Sequence, residues 1–149
     1  SSAATLPLSI KVCTEDLGAD ESIASFVLPL GMTINMDGTA IMQVIATVFI
    51  AGCAGYDLTP MQLVVIALLA LLASVGTPAA PGAGAVILFT ILSGVGFVND
   101  MALLAYSLIL AINRPIEMLV TSLNVVGDAT SCICVAKSEG LLDEEKFNA

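Results

Sequence analysis

The chain has 149 residues, of which 58% are hydrophobic and 11% charged, with no His or Trp and a formal net charge of -9. Soluble domains carry ~25% charged residues, so this composition argues for a membrane protein. Four basic residues against thirteen acidic ones leave no footprint for nucleic acid.

Ser1-Ser2-Ala3-Ala4-Thr5-Leu6-Pro7 reads as a polar, small-residue turn with neither an initiator Met nor a targeting signal, as expected for part of a longer polypeptide. Leu8 to Cys13 is a short apolar arm leading into the acidic loop Glu15 to Glu21. Ser22 to Tyr56 is an apolar run longer than the ~20 residues of one straight span, which predicts a tilted or broken helix. The break is placed at Asn35-Met36-Asp37-Gly38-Thr39. Leu58 to Ala73 is apolar and runs into Ser74-Val75-Gly76-Thr77-Pro78-Ala79-Ala80-Pro81-Gly82-Ala83-Gly84, where Pro and Gly forbid a continuous helix. With the apolar arm Ala85 to Val98, it predicts a re-entrant helical hairpin. A last long helix follows from about Met101, and its charged tail, with Lys137 and Lys146, points weakly to a cytoplasmic C-terminus. The predicted parts are 1–14, 22–56, 58–98, 101–137 and the tail 138–149. Turn, apolar arm, acidic loop and polar-interrupted helix occur twice in that order, which points to a site between two repeats.

Ten of the thirteen acids lie in connecting or terminal stretches; only Asp37, Glu117 and Asp128 interrupt apolar segments. A carboxylate at membrane depth is tolerated only beside a cavity, a partner or an ion. Gly38 next to Asp37 weakens the helix, and an unwound helix at the midplane offers backbone carbonyls as cation ligands. On the last helix Glu117, Thr121, Asn124 and Asp128 recur at spacings of four, three and four, within one stripe. Thr and Asn alone would serve as hydrogen-bonding glue between helices. Two carboxylates in the stripe ask for more, and with Arg114 the only Arg, a hard exogenous cation such as sodium is the economical partner.

Catalysis is not expected: the chain has no His and no serine elbow. Gly82-Ala83-Gly84 lacks the GK[ST] and preceding strand of a phosphate loop. Cys13, Cys53, Cys132 and Cys134 lack metal spacing and are read as buried small hydrophobes.

Three ordered motifs, Gly31 to Thr39, Ser74 to Gly84 and Asn124 to Asp128, resemble the seventh helix, second hairpin tip and eighth helix of the glutamate transporter family, symporters of dicarboxylates and amino acids. Ser1 to Pro7 resembles the tip and second arm of that family's first hairpin. The resemblance implies an all-α integral membrane fold with re-entrant hairpins and a broken transmembrane helix, the C-terminal part of an elevator-type transport domain. It further implies a homotrimer in the full-length protein, a multi-pass location in the plasma membrane, and no cofactor apart from sodium as coupling ion, with proton coupling left open. One sodium would lie on Asp128 with backbone oxygens of Gly31, Asn35 and Asn124. A second would use backbone oxygens of Thr33, Ser74, Val75 and Thr77 with the Met36 sulfur nearby, and a third Asp37 with the Asn35 side chain. Substrate would sit against Ser2, Thr39, Ala80, Gly84, Glu117, Thr121 and Asn124, gated by the second hairpin.

Two positions depart from the family pattern. Glu117 stands where an Asp usually binds the substrate ammonium, and Val120 where an Arg clamps an acidic side chain. A valine cannot replace bidentate guanidinium bonds, so a neutral amino acid is the expected substrate. An acidic amino acid or dicarboxylate is the alternative if Arg114 reaches the pocket. A channel-like or purely structural membrane module is the reading from another class.

Overall fold

The computed structural model describes residues 1–149. It is built of helices without a β-strand: α1 Ser2–Lys11, α2 Glu21–Ile34, α3 Asp37–Cys53, α4 Pro60–Val75, α5 Ala83–Gly94, α6 Asp100–Ser138 and the short α7 Glu144–Phe147. Local chemistry starts these helices. Thr59 and Gln62 form a reciprocal capping box on α4, with Pro60 in the first turn where its missing N–H costs nothing. Asn99 accepts the Ala102 N–H at 2.8 Å to cap α6. Asp20 caps α2 through the Ser22 N–H at 2.9 Å. Hydrogen bonds from the Ser22 hydroxyl and N–H hold the Asp20 carboxyl below the usual carboxylate range.

The run Glu21–Cys53 and the helix Asp100–Ser138 are each long and apolar enough to cross a membrane, while α4 and α5 are shorter apolar helices. The first run is interrupted at Asn35 and Met36, whose ψ angles of 89° and 44° are not helical. α6 runs unbroken despite Pro115. Large apolar side chains such as Phe26, Phe49, Met61, Leu72, Met118 and Leu119 are exposed, more apolar surface than a soluble monomer ordinarily shows.

Two apolar cores lie at opposite ends of the molecule. One packs Ile50, Ile66, Leu88, Leu92, Phe97, Ala102 and Ala105 from α3, α4, α5, α6 and the α5–α6 loop. There Tyr56 stacks on Phe97 at 4.4 Å, and Asn99 Nδ2 donates to the Ala54 carbonyl at 3.1 Å, tying two loops together. The other packs Cys13, Ala24, Leu28, Cys132 and Ala136. Between them the packing becomes polar.

Three expectations need correction. Ser1 to Pro7 is no turn: Ser1 Oγ accepts the Ala4 N–H and α1 begins at once. Nor does the acidic loop begin at Glu15, because α1 passes into a π turn over Val12–Asp16. Finally, Cys13 and Cys132 are buried but Cys53 and Cys134 are exposed, since they sit on helix faces that no other element of this chain covers. Separately from these, the tail is docked, with Asp143 N–H donating to the Gly18 carbonyl at 2.8 Å, Asp20 N–H to Leu141 at 3.0 Å and Lys146 Nζ to Thr14 at 3.2 Å.

Candidate functional site

The polar layer is organised by the break between α2 and α3. Once the chain leaves the helix at Asn35, that side chain turns toward α6. Its Nδ2 donates to Asp128 Oδ1 at 3.0 Å and to the Asn124 carbonyl at 3.2 Å. Asn124 replies from α6: its Oδ1 accepts the Gly38 N–H at 2.8 Å, and its Nδ2 lies 3.3 Å from both Thr39 Oγ1 and Met36 Sδ. This satisfies an orphan donor in the first turn of α3, which has no side-chain cap of its own. Asn124 and Asp128 are buried.

Glycines set the spacing. A Cβ on Gly31 would meet Asp128 Oδ1 at 2.5 Å, one on Gly127 would meet Asn35 Nδ2 at 2.5 Å, and one on Gly38 would collide with the Val120 carbonyl. The carboxylate of Asp128 therefore sits directly against the α2 backbone at Gly31. No protein cation reaches it. Arg114 pairs with Glu117, Lys11 with Glu15 and Lys137 with Glu144, while Lys146 donates to Thr14. A buried carboxylate held by one amide, with backbone carbonyls beside an unwound turn, has the hard oxygen donors that suit a small cation.

Beside this knot lies a cavity of about 260 Å³, bounded by the start of α1, the α4–α5 tip, α3 and α6. The two tips touch, with Ser1 Oγ donating to the Ala79 carbonyl at 2.7 Å. Of the residues expected at a substrate site, Ser2, Thr39, Ala80, Gly84, Glu117, Val120, Thr121 and Asn124 all line it, as do Met36 and Thr77. Ser74 and Thr77 are buried at the tip, their hydroxyls donating to the Leu71 and Ala73 carbonyls at 2.8 Å. Thr33, Asp37 and Val75 have exposed side chains and stand outside the lining. Within this chain Asp37 has no ion pair.

Two residues of the layer escaped the sequence reading. Gln43 is fully buried, its Nε2 donating to the Gly84 carbonyl at 3.4 Å and its Oε1 without a partner. Asn113 is 3% exposed and its Oδ1 is likewise unpartnered. The signal was there: Thr39, Gln43 and Thr47 recur at four-residue intervals on α3, and Asn113 extends the α6 stripe one turn before Glu117. Arg114 also lines the cavity, with its Nη1 3.1 Å from Glu117 Oε2.

Residues 1–138 match the family model described as the sodium:dicarboxylate symporter family. An excitatory amino acid transporter of Caenorhabditis elegans is 44% identical over 130 residues, covering 87% of this chain and 25% of the relative. Human excitatory amino acid transporter 2 is 43% identical over 129 residues, covering 87% and 22%. Rat excitatory amino acid transporter 1 is 41% identical over 129 residues, covering 87% and 23%. The chain thus spans about a quarter of the length of the curated relatives it matches.

Proposed function

The chain belongs to the sodium:dicarboxylate symporter family, and from that membership we propose that it forms the substrate- and ion-binding part of a sodium-coupled symporter for an acidic amino acid or dicarboxylate. The observation that carries the reading is Asp128: a buried carboxylate at a helix break, beside a cavity closed by two helical tips, with every Lys and Arg engaged elsewhere. Sodium bound there would neutralise the carboxylate, and backbone oxygens of Gly31, Asn35 and Asn124 would complete its shell. Met36, Ser74, Val75, Thr77 and Thr33 form the second proposed ion site. Asp37 and Asn35 form the third, whose missing ligands would come from outside this chain.

The cavity between the tips is the substrate site in this reading. Substrate occupies the space bounded by Ser2, Thr39, Ala80, Gly84, Glu117, Thr121 and Asn124, and the α4–α5 hairpin is the gate. In the wider assembly the helical tips are re-entrant, the unit moves as an elevator within a plasma-membrane trimer, and the exposed apolar faces meet lipid or scaffold.

The acidic class displaces the neutral preference drawn from Val120. The relatives are named for excitatory amino acids, and a guanidinium lines the cavity after all, from Arg114. The neutral reading keeps one observation, since Val120 also lines the cavity.

Uptake into proteoliposomes holding the full-length protein tests the proposal. A sodium gradient should drive accumulation of labelled aspartate, and excess aspartate should compete far better than serine. Flux without accumulation would point to a channel. Stronger competition by serine or leucine than by aspartate would return the substrate to the neutral class.

A further inference from the structure

The cavity wall carries two opposite charges on successive turns of α6. Glu117 is 16% exposed at its side chain and Arg114 is 67% exposed, with 3.1 Å between Nη1 and Oε2. The acid is thus the fixed member of the pair and the arginine the free one. Arg114 also reaches across to the hairpin tip. The position a Cβ would take on Gly82 lies 3.7 and 3.8 Å from its two terminal nitrogens, at the left-handed residue (φ 87°) that starts α5. Val120, one turn beyond Glu117 on the other side, brings no charge.

We propose that Arg114 is the specificity-determining residue of this site, recognising the distal carboxylate of an acidic amino acid while Glu117 takes its ammonium. The inference rests on the symporter reading above. The physical argument is one of charge matching. Arg114 and Glu117 neutralise each other, and a pair whose arginine is this exposed is weak and easily exchanged. A substrate that brings an ammonium to Glu117 and a carboxylate to Arg114 replaces that pair with two charge-assisted contacts. At 1.5 Å rise per residue, the two side chains are rooted about 4.5 Å apart along the axis, on the scale of the ammonium-to-side-chain-carboxylate separation of such a molecule. The substrate then lies with its distal group toward Gly82. The arginine at its far end touches the gating hairpin.

A plain dicarboxylate fits less well. It offers Arg114 a partner but sets a second carboxylate near Glu117 with no ammonium between them, a like-charge approach. A neutral amino acid satisfies Glu117 and leaves Arg114 on its resting partner's edge. The site therefore ranks aspartate or glutamate above succinate and above serine.

The test uses the full-length protein in proteoliposomes, with sodium-driven uptake of labelled L-aspartate and inhibition by unlabelled aspartate, serine and succinate, comparing wild type, Arg114→Gln and Arg114→Lys. The expected result for Arg114→Gln is a KM for aspartate raised at least tenfold, with the serine inhibition constant unchanged or lower. Arg114→Lys, which keeps the charge without the fork, should fall between. Retained inhibition by serine also shows that the variant is folded. Loss of serine and aspartate in equal measure in both variants would overturn the inference, since the arginine would then serve the α-carboxylate or the fold. Unchanged aspartate affinity in Arg114→Gln would also overturn it, leaving the symporter reading intact. Absence of aspartate inhibition in the wild type would instead remove the acidic-substrate reading on which the inference rests.

Discussion

Replacing Gly38 by Ala adds one methyl group at the point where α3 and α6 come closest. That methyl would collide with the Val120 carbonyl, and with the Val120 C and Cα at 3.0 Å. These are backbone atoms in the middle of α6, so no rotamer change relieves the clash and the helices must separate. Overpacking of this kind costs about 1–3 kcal/mol. Separation also stretches the 2.8 Å hydrogen bond from Gly38 N–H to Asn124 Oδ1, worth about 1 kcal/mol. The total is about 2–4 kcal/mol. Gly52 supplies the control, because it lies in the same helix with nothing within 4 Å of its Cβ position. There the same substitution should stabilise by about 0.5–1 kcal/mol, through helix propensity alone. Thermal inactivation of the detergent-solubilised full-length protein should rank Gly52→Ala at or above wild type and Gly38→Ala well below it. If about 2 kcal/mol of the strain falls on the ion-bound state, the sodium concentration for half-maximal uptake rises about thirtyfold. Equal inactivation temperatures and equal sodium dependence for the two alanine variants would refute the close packing of α3 on α6.

Asp128→Asn should abolish most sodium-driven uptake, because a neutral amide cannot offset cation dehydration; wild-type sodium dependence in that variant would remove Asp128 from the ion site. Gly31→Ala should weaken sodium dependence without removing the charge, since its methyl group would press on Asp128 Oδ1 at 2.5 Å. A rise in half-saturating sodium with unchanged maximal rate at high sodium is the expected signature. Gly18→Ala combines a positive φ of 75° with a Cβ 2.8 Å from the Asp143 carbonyl oxygen, so the docked tail should loosen by about 1–2 kcal/mol. Limited trypsin digestion at Lys137 and Lys146 should speed up in that variant and not in Gly140→Asn, whose Cβ position is open. Asp20 holds its proton less tightly in the folded state than in the unfolded chain. Its contribution is therefore complete above the ordinary carboxylate range and is lost as pH falls through the lower folded value. Thermal stability measured across that acid range should fall less steeply in Asp20→Asn than in wild type.

Composition and pattern alone carried the class of this protein. An apolar chain with few charges, three acids that interrupt apolar segments and one stretch of Pro and Gly admits few architectures. The order of the Gly31 to Thr39, Ser74 to Gly84 and Asn124 to Asp128 motifs pointed to the family. Periodicity placed Glu117, Thr121, Asn124 and Asp128 on one stripe because helical spacing is a local property. The same argument, carried one turn further, would have found Gln43 and Asn113.

Other features depend on contacts distant in sequence. That Ser1 begins a helix rather than a turn follows from its own capping bond, but that it meets Ala79 required the fold. Val120 suggested an uncharged pocket, with the acidic class kept as the alternative should Arg114 reach it, and the sequence could not say whether it does. Arg114 lies on an exposed turn, and only the approach of the α4–α5 tip at Gly82 makes that turn a cavity wall. The tail showed only its charge in the sequence, and its pairing with the Gly18 to Asp20 loop through backbone donors and acceptors exists only in the fold. A sequence determines what each helix can offer, through residue type and local periodicity. Which of those offers meet is decided when helices pack, because the distances between Arg114, Glu117 and Gly82, or between Asn35 and Asp128, exist only in the folded chain.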